Sequence, residues 1–297
     1  MHHLPVTAEE AARRLRGIVL ICGAMLCFSF LDTAAKYASR HVPIFEVVWA
    51  RYAFSLFFAV VLLRSWTRPA DYLTKRPLMQ AVRALFLLVS TGLNFMALRY
   101  LQLAEASAIT FAAPLLVTAL AGPILGEWPG RRRWAAVVVG FIGVLIIVRP
   151  DPGGFQPAAL FSLGAALCYA GYGLTTRLLS ATETPAGMLV YGSLVAVVIL
   201  TPVLPVVGEA PPDWLVAVAL VTTGLAGAIG HYCLILANRE APATVLAPFQ
   251  YTQILWMPIL GYLVFGDIPG ASTVIGAPVV IASGLYILYR ERVHRDR

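Results

Sequence analysis

Two stretches of the chain, 141 residues apart, read almost alike. Gly23-Ala24-Met25-Leu26-Cys27-Phe28 returns as Gly164-Ala165-Ala166-Leu167-Cys168-Tyr169, and each is followed nine residues past its cysteine by a single base, Lys36 or Arg177. A second pair keeps the same offset: Gly143-Val144-Leu145-Ile146-Ile147 ahead of Arg149, and Gly284-Leu285-Tyr286-Ile287-Leu288 ahead of Arg290. The chain is therefore read as a duplicated unit whose start and end are both marked. All four segments are apolar enough for a bilayer. The number of spans per unit then decides the architecture, because an odd number forces the two copies into opposite orientations.

Composition identifies the solvent. With 59% hydrophobic and 12% charged residues over 297 positions, and a mean hydropathy of +0.79, there is too little polar side chain to cover a water-soluble globule of this size. A crossing helix needs about 20 apolar residues. Charges and Pro/Gly breaks divide the chain into ten such stretches: 17–38, 44–64, 78–98, 104–125, 134–148, 157–178, 185–207, 213–237, 243–265 and 270–289. The expected fold is an all-α integral membrane protein with ten transmembrane helices in two inverted five-helix repeats. The expected division is a cytoplasmic N-terminal segment at 1–16, repeats at 17–149 and 157–290, and a cytoplasmic tail at 291–297.

The bases give the expected orientation. Of the 22 Lys and Arg, 16 fall on one side in this reading, only Arg40, Arg99 and Arg149 on the other, and Lys36, Arg51 and Arg83 inside spans. The positive-inside rule then puts both termini in the cytoplasm and the Asp151-Pro152-Gly153-Gly154 linker outside, in a bacterial-type inner (plasma) membrane. The net charge of +7 is explained by topology and anionic headgroups, and no nucleic-acid motif is present. Thr7-Ala8-Glu9-Glu10 has capping-box spacing, which predicts a short surface helix over 11–16. The first apolar stretch is long and lacks a clear small-residue cleavage site, so it is expected to be retained. His2 and His3 are assigned no role.

Several function classes lack their signatures. Cys22, Cys27, Cys168 and Cys233 all lie in predicted spans without metal-site or disulfide spacing, so no metal is expected. There is no P-loop, His-Glu-x-x-His, Gly-x-Ser-x-Gly or aspartate-rich diphosphate site, and the longest connection, at 65–77, is too short to hide a catalytic domain. The sequence thus predicts neither an enzyme nor a bound cofactor. A channel would need a ring of charges or carbonyls supplied by oligomeric symmetry, whereas this symmetry is internal.

The polar groups inside the spans carry what functional signal there is. A charge at the bilayer centre costs about 2.5–3.5 kcal/mol on insertion scales. Asp32 and Lys36, four apart on one helix, are expected to pair, with Arg51 near enough to join them. Such a cluster reads either as a structural tie between the first two helices or as an outer gate or headgroup site. The richest stretch is Ala247-Pro248-Phe249-Gln250-Tyr251-Thr252-Gln253-Ile254-Leu255-Trp256-Met257-Pro258. Its prolines predict helix breaks at Pro248 and Pro258, and Gln250, Gln253 and Trp256 form an i, i+3 stripe able to hold a zwitterionic or aromatic solute. Tyr251, Asn94, Tyr169, Tyr172 and His231 are further candidate cavity residues. Gly224, Gly227 and Gly230 are read as close helix packing.

Ten spans in two inverted halves, Pro114 in the fourth span, Gly126-Glu127-Trp128-Pro129 matched by Gly266-Asp267-Ile268-Pro269, and glycine-rich fifth and tenth spans resemble the EamA type of the drug/metabolite transporter superfamily over about 17–290. Asp267 stands where the pattern usually has glutamate, and the second half lacks an equivalent of Pro114. The resemblance implies a central cavity between the halves, alternating access and export of small organic metabolites. Amino acids, including aromatic ones, are its most specific implication, with nucleotide, vitamin or drug carriage as the alternative. The expected partners are a small-molecule substrate and the lipid bilayer, with no nucleic acid.

Overall fold

The computed structural model describes residues 8–62, 72–126, 128, 130–148, 157–179, 182–241 and 243–295. The expected outward linker at 151–154, together with His2, His3, Thr7, Glu127, Pro129 and Arg149, lies outside them. Every regular element among the described residues is a helix: α1 (Ala8–Ala38), α2 (Ile44–Leu62), α3 (Pro77–Tyr100), α4 (Leu103–Thr110), α5 (Ala113–Leu125), α6 (Arg131–Val148), α7 (Ala158–Leu179), α8 (Pro185–Leu200), α9 (Leu204–Val207), α10 (Trp214–Glu240), α11 (Ala243–Gln250), α12 (Gln253–Phe265) and α13 (Ala271–Arg295).

This is an all-α, multi-pass membrane protein. Among the described residues, six helical stretches are long and apolar enough to cross a bilayer: Glu9–Ala38, Ile44–Leu62, Pro77–Tyr100, Leu103–Leu120, Ala158–Leu179 and Trp214–Glu240. The ten spans predicted from sequence exceed that number for local reasons. The stretch at 134–148 is headed by Arg131, Arg132 and Arg133, 185–207 stops at Leu200 and turns, 243–265 is divided into two helices, and 270–289 is apolar only over Ala271–Ile287. The separate N-terminal helix predicted at 11–16 is instead the first part of α1. Nothing there breaks the helix, and Gly17 lets α1 run close beneath Ala241 and Leu246.

Local chemistry sets the other boundaries. Proline opens α3 and α8, and the side chains of Thr184 and Asp213 cap α8 and α10 by accepting from Gly187 N (3.0 Å) and Val216 N (2.9 Å). α5 runs up to Gly126 and α12 up to Gly266, at φ 73° and 70°, a left-handed conformation that favours glycine and lets the chain turn sharply off each helix. The division between α11 and α12 falls at Tyr251-Thr252, while Pro248 and Pro258 both remain inside helices. Thr252 determines the break: its backbone N–H and its hydroxyl both donate to Phe249 O, closing a tight turn in place of the i−4 ladder. The first half breaks in the same place, at Phe111-Ala112 between α4 and α5, just ahead of Pro114. The two breaks face one another, with the rings of Phe111 and Tyr251 at 5.1 Å.

The longest helix contacts are α1 with α10, α3 with α7, α6 with α13 and α2 with α10. Small residues permit them: Gly224, Gly227 and Gly230 of α10 lie against Phe54, Ser55 and Phe28, and the Ser55 hydroxyl donates to Gly224 O at 2.9 Å. Polar contacts define two ends of the bundle. At one end Lys36 meets Asp267, Glu209 N donates to Glu46, and Trp49 donates to Thr201. At the other, Arg13 meets Glu240, and the backbone N–H groups of Lys75 and Arg76 donate to Glu183.

Candidate functional site

The helix breaks create irregular backbone in the middle of the bundle, tolerable at membrane depth only against protein or a cavity. A cavity of about 220 Å³ lies there, lined by α1, α2, α3, α4, α5, α7, α10, α11 and α12. Thr110, Phe111 and Pro114 border it at the first break, and Gln250 and Gln253 at the second. Phe28, Phe95, Phe111 and Tyr169 give it aromatic surface, while Asp32, Arg51, Asn94 and His231 give it polar and ionisable groups. An apolar wall with a few convergent polar groups is the usual composition of a small-molecule site.

Asp32 is held by amides. Asn94 Nδ2 donates to its Oδ1 at 3.1 Å, and Gln253 Nε2 approaches Oδ2 at 3.5 Å. These contacts join α1, α3 and α12 around one carboxylate. Arg51, on α2, is 7% exposed, with its guanidinium 4.5 Å from the centre of the Tyr52 ring and its Nε without a hydrogen-bond partner. The ion pairs among the described residues include neither Asp32 nor Arg51. His231 packs edge-on against Phe28 at 5.0 Å and, with Arg51, also borders a second, smaller cavity.

The expected Asp32–Lys36 pairing is not what the fold makes. Lys36 is 2% exposed and donates to Asp267 Oδ2 at 2.6 Å and to Leu101 O at 2.9 Å, with Phe265 beneath it at 4.7 Å. The left-handed turn at Gly266 brings Asp267 back over the end of α12, where it meets the end of α1. A partner 231 residues away thus displaces the local i, i+4 candidate.

Two other expected cavity residues lie elsewhere. Trp256 is absent from the lining and its buried indole N–H has no partner, because the break at Tyr251-Thr252 interrupts the stripe; Met257 reaches the cavity instead. Tyr172 lines the smaller cavity, where Arg83 donates to its hydroxyl at 2.9 Å and lies over its ring at 4.6 Å. Arg83 also donates to Thr176 Oγ1 (2.7 Å) and Met188 O (2.9 Å), so this base is committed to structure. Tyr251 is buried near the wall, its hydroxyl in the space left by Gly284. Gln250, Gln253, Asn94, Tyr169, His231, Asp32 and Arg51 converge on the central cavity. Sequence reasoning passed over Ser90, Thr91, Ser107 and Thr110, whose hydroxyls give no distinct signal in an apolar helix. It also passed over Asp267 as the partner of Lys36, although Gly266-Asp267 stood out as a motif.

No group of three or more His, Cys, Asp or Glu able to hold a metal ion occurs among the described residues. The chain belongs to the EamA-like transporter family, matched at residues 15–149 and again at 156–289. It is a transporter of the drug/metabolite superfamily and not an enzyme. It is 28% identical to the S-adenosylmethionine uptake transporter of Rickettsia prowazekii, over 94% of each chain. It is also 28% identical to the riboflavin transporter of Vibrio cholerae (92% of this chain, 93% of the relative) and 25% identical to a pseudopaline exporter of Pseudomonas aeruginosa (90% and 94%). A solved crystal structure shares the fold with a TM-score of 0.66 at 16% identity, over 93% of this chain and 98% of its own.

Proposed function

We propose that this chain is an alternating-access carrier of a metabolite that joins a heteroaromatic ring to a polar chain, with S-adenosylmethionine and riboflavin ahead of simple amino acids as substrates. The central cavity carries this reading, since it combines aromatic rings with amide, carboxylate and guanidinium groups drawn from both halves of the chain. The names of the relatives point the same way: S-adenosylmethionine and riboflavin both pair a ring system with a polar chain. In proteoliposomes, labelled S-adenosylmethionine and riboflavin should exchange against unlabelled solute with saturation. Flux of neither, with export of free amino acids only, would overturn this choice of substrates.

Ten spans in two inverted halves remain the architecture that this reading uses. Exchange of the halves turns several of the most extensive contacts into others that are also present: α1 with α10 becomes α7 with α3, α2 with α10 becomes α8 with α3, and α1 with α12 becomes α7 with α5. The polar contacts at the two bundle ends support opposite directions for α1 and α7, since α1 finishes at the Lys36–Asp267 end and α7 beside Glu183. α4 with α5, and α11 with α12, then each act as one broken span. Lys36–Asp267 ties the first half to the second at the end where α1 finishes and serves as the outer gate of the cavity. The location that goes with this reading is a bacterial-type inner membrane with both termini cytoplasmic.

A further inference from the structure

Asp32 and Arg51, an acid and a base, line the same cavity, and neither is spent on an ion pair among the described residues. That is an expensive arrangement at membrane depth, where a buried charge is ordinarily matched by its opposite. Two amides hold Asp32 in place without neutralising it. Arg51 rests on an aromatic face with its Nε unpartnered. Its planar fork suits a carboxylate, while the carboxylate of Asp32 suits an ammonium or sulfonium centre. Arg83, also buried in this region, has each of its three guanidinium nitrogens bonded, to Thr176, Met188 and Tyr172, and serves as an internal contrast.

We infer that Asp32 and Arg51 form a divided headgroup site that selects solutes bearing an α-amino acid group, Arg51 taking the carboxylate and Asp32 the cationic centre. This rests on the carrier reading above and narrows it, favouring S-adenosylmethionine-like solutes over riboflavin, which has no ionised head. Gln253 and Asn94 orient Asp32, and the aromatic wall receives the ring.

The test uses purified full-length protein and three matched ligands: S-adenosylmethionine, its decarboxylated form, and 5′-methylthioadenosine, which has neither the amino acid head nor the sulfonium. Riboflavin is the uncharged control. Binding read by ligand-dependent thermal shift should be tightest for S-adenosylmethionine and weaken by about ten-fold or more for each missing charge contact, the scale of a charge-assisted hydrogen bond. Arg51→Gln should abolish the preference for S-adenosylmethionine over its decarboxylated form. Asp32→Asn should weaken both cationic ligands and leave 5′-methylthioadenosine unchanged. Arg51→Lys, which keeps the charge, covers a failure of Arg51→Gln to accumulate and should retain part of that preference. Equal binding of all three adenosyl ligands, or riboflavin binding tighter than S-adenosylmethionine, overturns the headgroup site while leaving a carrier. Absence of saturable flux for every organic solute would instead overturn the carrier reading itself.

Discussion

Gln253 sits between two tasks, since its amide both borders the cavity and reaches toward Asp32 at 3.5 Å. That contact is long and only partly buried, enough to orient Asp32 but a small contribution to stability, so the side chain remains suited to a ligand. Gln253→Leu should therefore leave the ligand-free Tm nearly unchanged and weaken substrate binding by roughly five- to ten-fold, the value of one hydrogen bond. Unaltered affinity in a titration would remove Gln253 from the site. Glu183 is the opposite case, outside the spans and structural. Burial pushes its carboxyl up, but hydrogen bonds from Thr74, Lys75, Gln80 and Arg76 outweigh that and hold it below the usual carboxylate range. A carboxyl depressed in the folded state contributes stability above its unfolded pKa and loses it as pH falls through the folded pKa. Glu183→Gln should lower the Tm by roughly 2–4 °C at neutral pH. The difference from wild type should shrink as the medium is acidified below the carboxylate range; a constant difference would mean that ionisation of Glu183 is irrelevant. Polar or aromatic residue type inside an apolar span made Asp32, Arg51, Asn94, Tyr169, His231, Gln250 and Gln253 of the cavity lining legible in the sequence. Trp256 and Lys36 were misplaced because a tight turn and a distant partner override helical spacing, and neither is encoded in the spacing itself.

At the scale of elements, the prolines of 247–258 signalled irregular helix correctly but not where it lies. A proline removes one donor yet leaves the surrounding ladder able to continue, whereas the Thr252 backbone and hydroxyl, both turned to Phe249 O, end it. The left-handed glycines were more informative, since Gly126 and Gly266 were already singled out in sequence as the starts of matching motifs. The second of these turns places Asp267 on Lys36 and so couples α12 to α1. Removing one member leaves the other buried without its counter-charge, which is worse than removing both. Lys36→Met and Asp267→Asn should each lower the Tm, by an amount on the order of 3 kcal/mol in stability for the more buried lysine's partner loss. The double variant should lose clearly less than the sum, with a coupling of about 1–3 kcal/mol. Additive losses would mean that the pair does not act as a unit, and with it would go the outer-gate assignment.

For the whole molecule, the 141-residue offset is the sequence feature behind the proposed architecture, because a duplicated unit with an odd number of spans would have to be inverted. Several helix contacts have exchange-related counterparts, and hydropathy resolves six stretches long enough to cross among the described residues. The broken helices α11 and α12 are too short and the arginine-headed α6 too charged to count as crossing stretches, even where partners cover irregular backbone. The proposed orientation follows from the charge bias: the end carrying Glu46, Glu209 and Asp267 is expected outside, and the end carrying Arg13, Lys75 and Glu183 in the cytoplasm. Ala210, exposed beside Glu209, and Lys75, exposed at the opposite end, are suitable reporters. With Cys22, Cys27, Cys168 and Cys233 replaced by alanine to silence the spans, Ala210→Cys should react with a membrane-impermeant thiol reagent in intact cells. Lys75→Cys should react only after the membrane is opened. The reverse pattern would invert the protein in the bilayer and make Lys36–Asp267 an inner gate. Labelling of both positions in intact cells would place the two ends on one side, which no arrangement of five-span inverted halves permits.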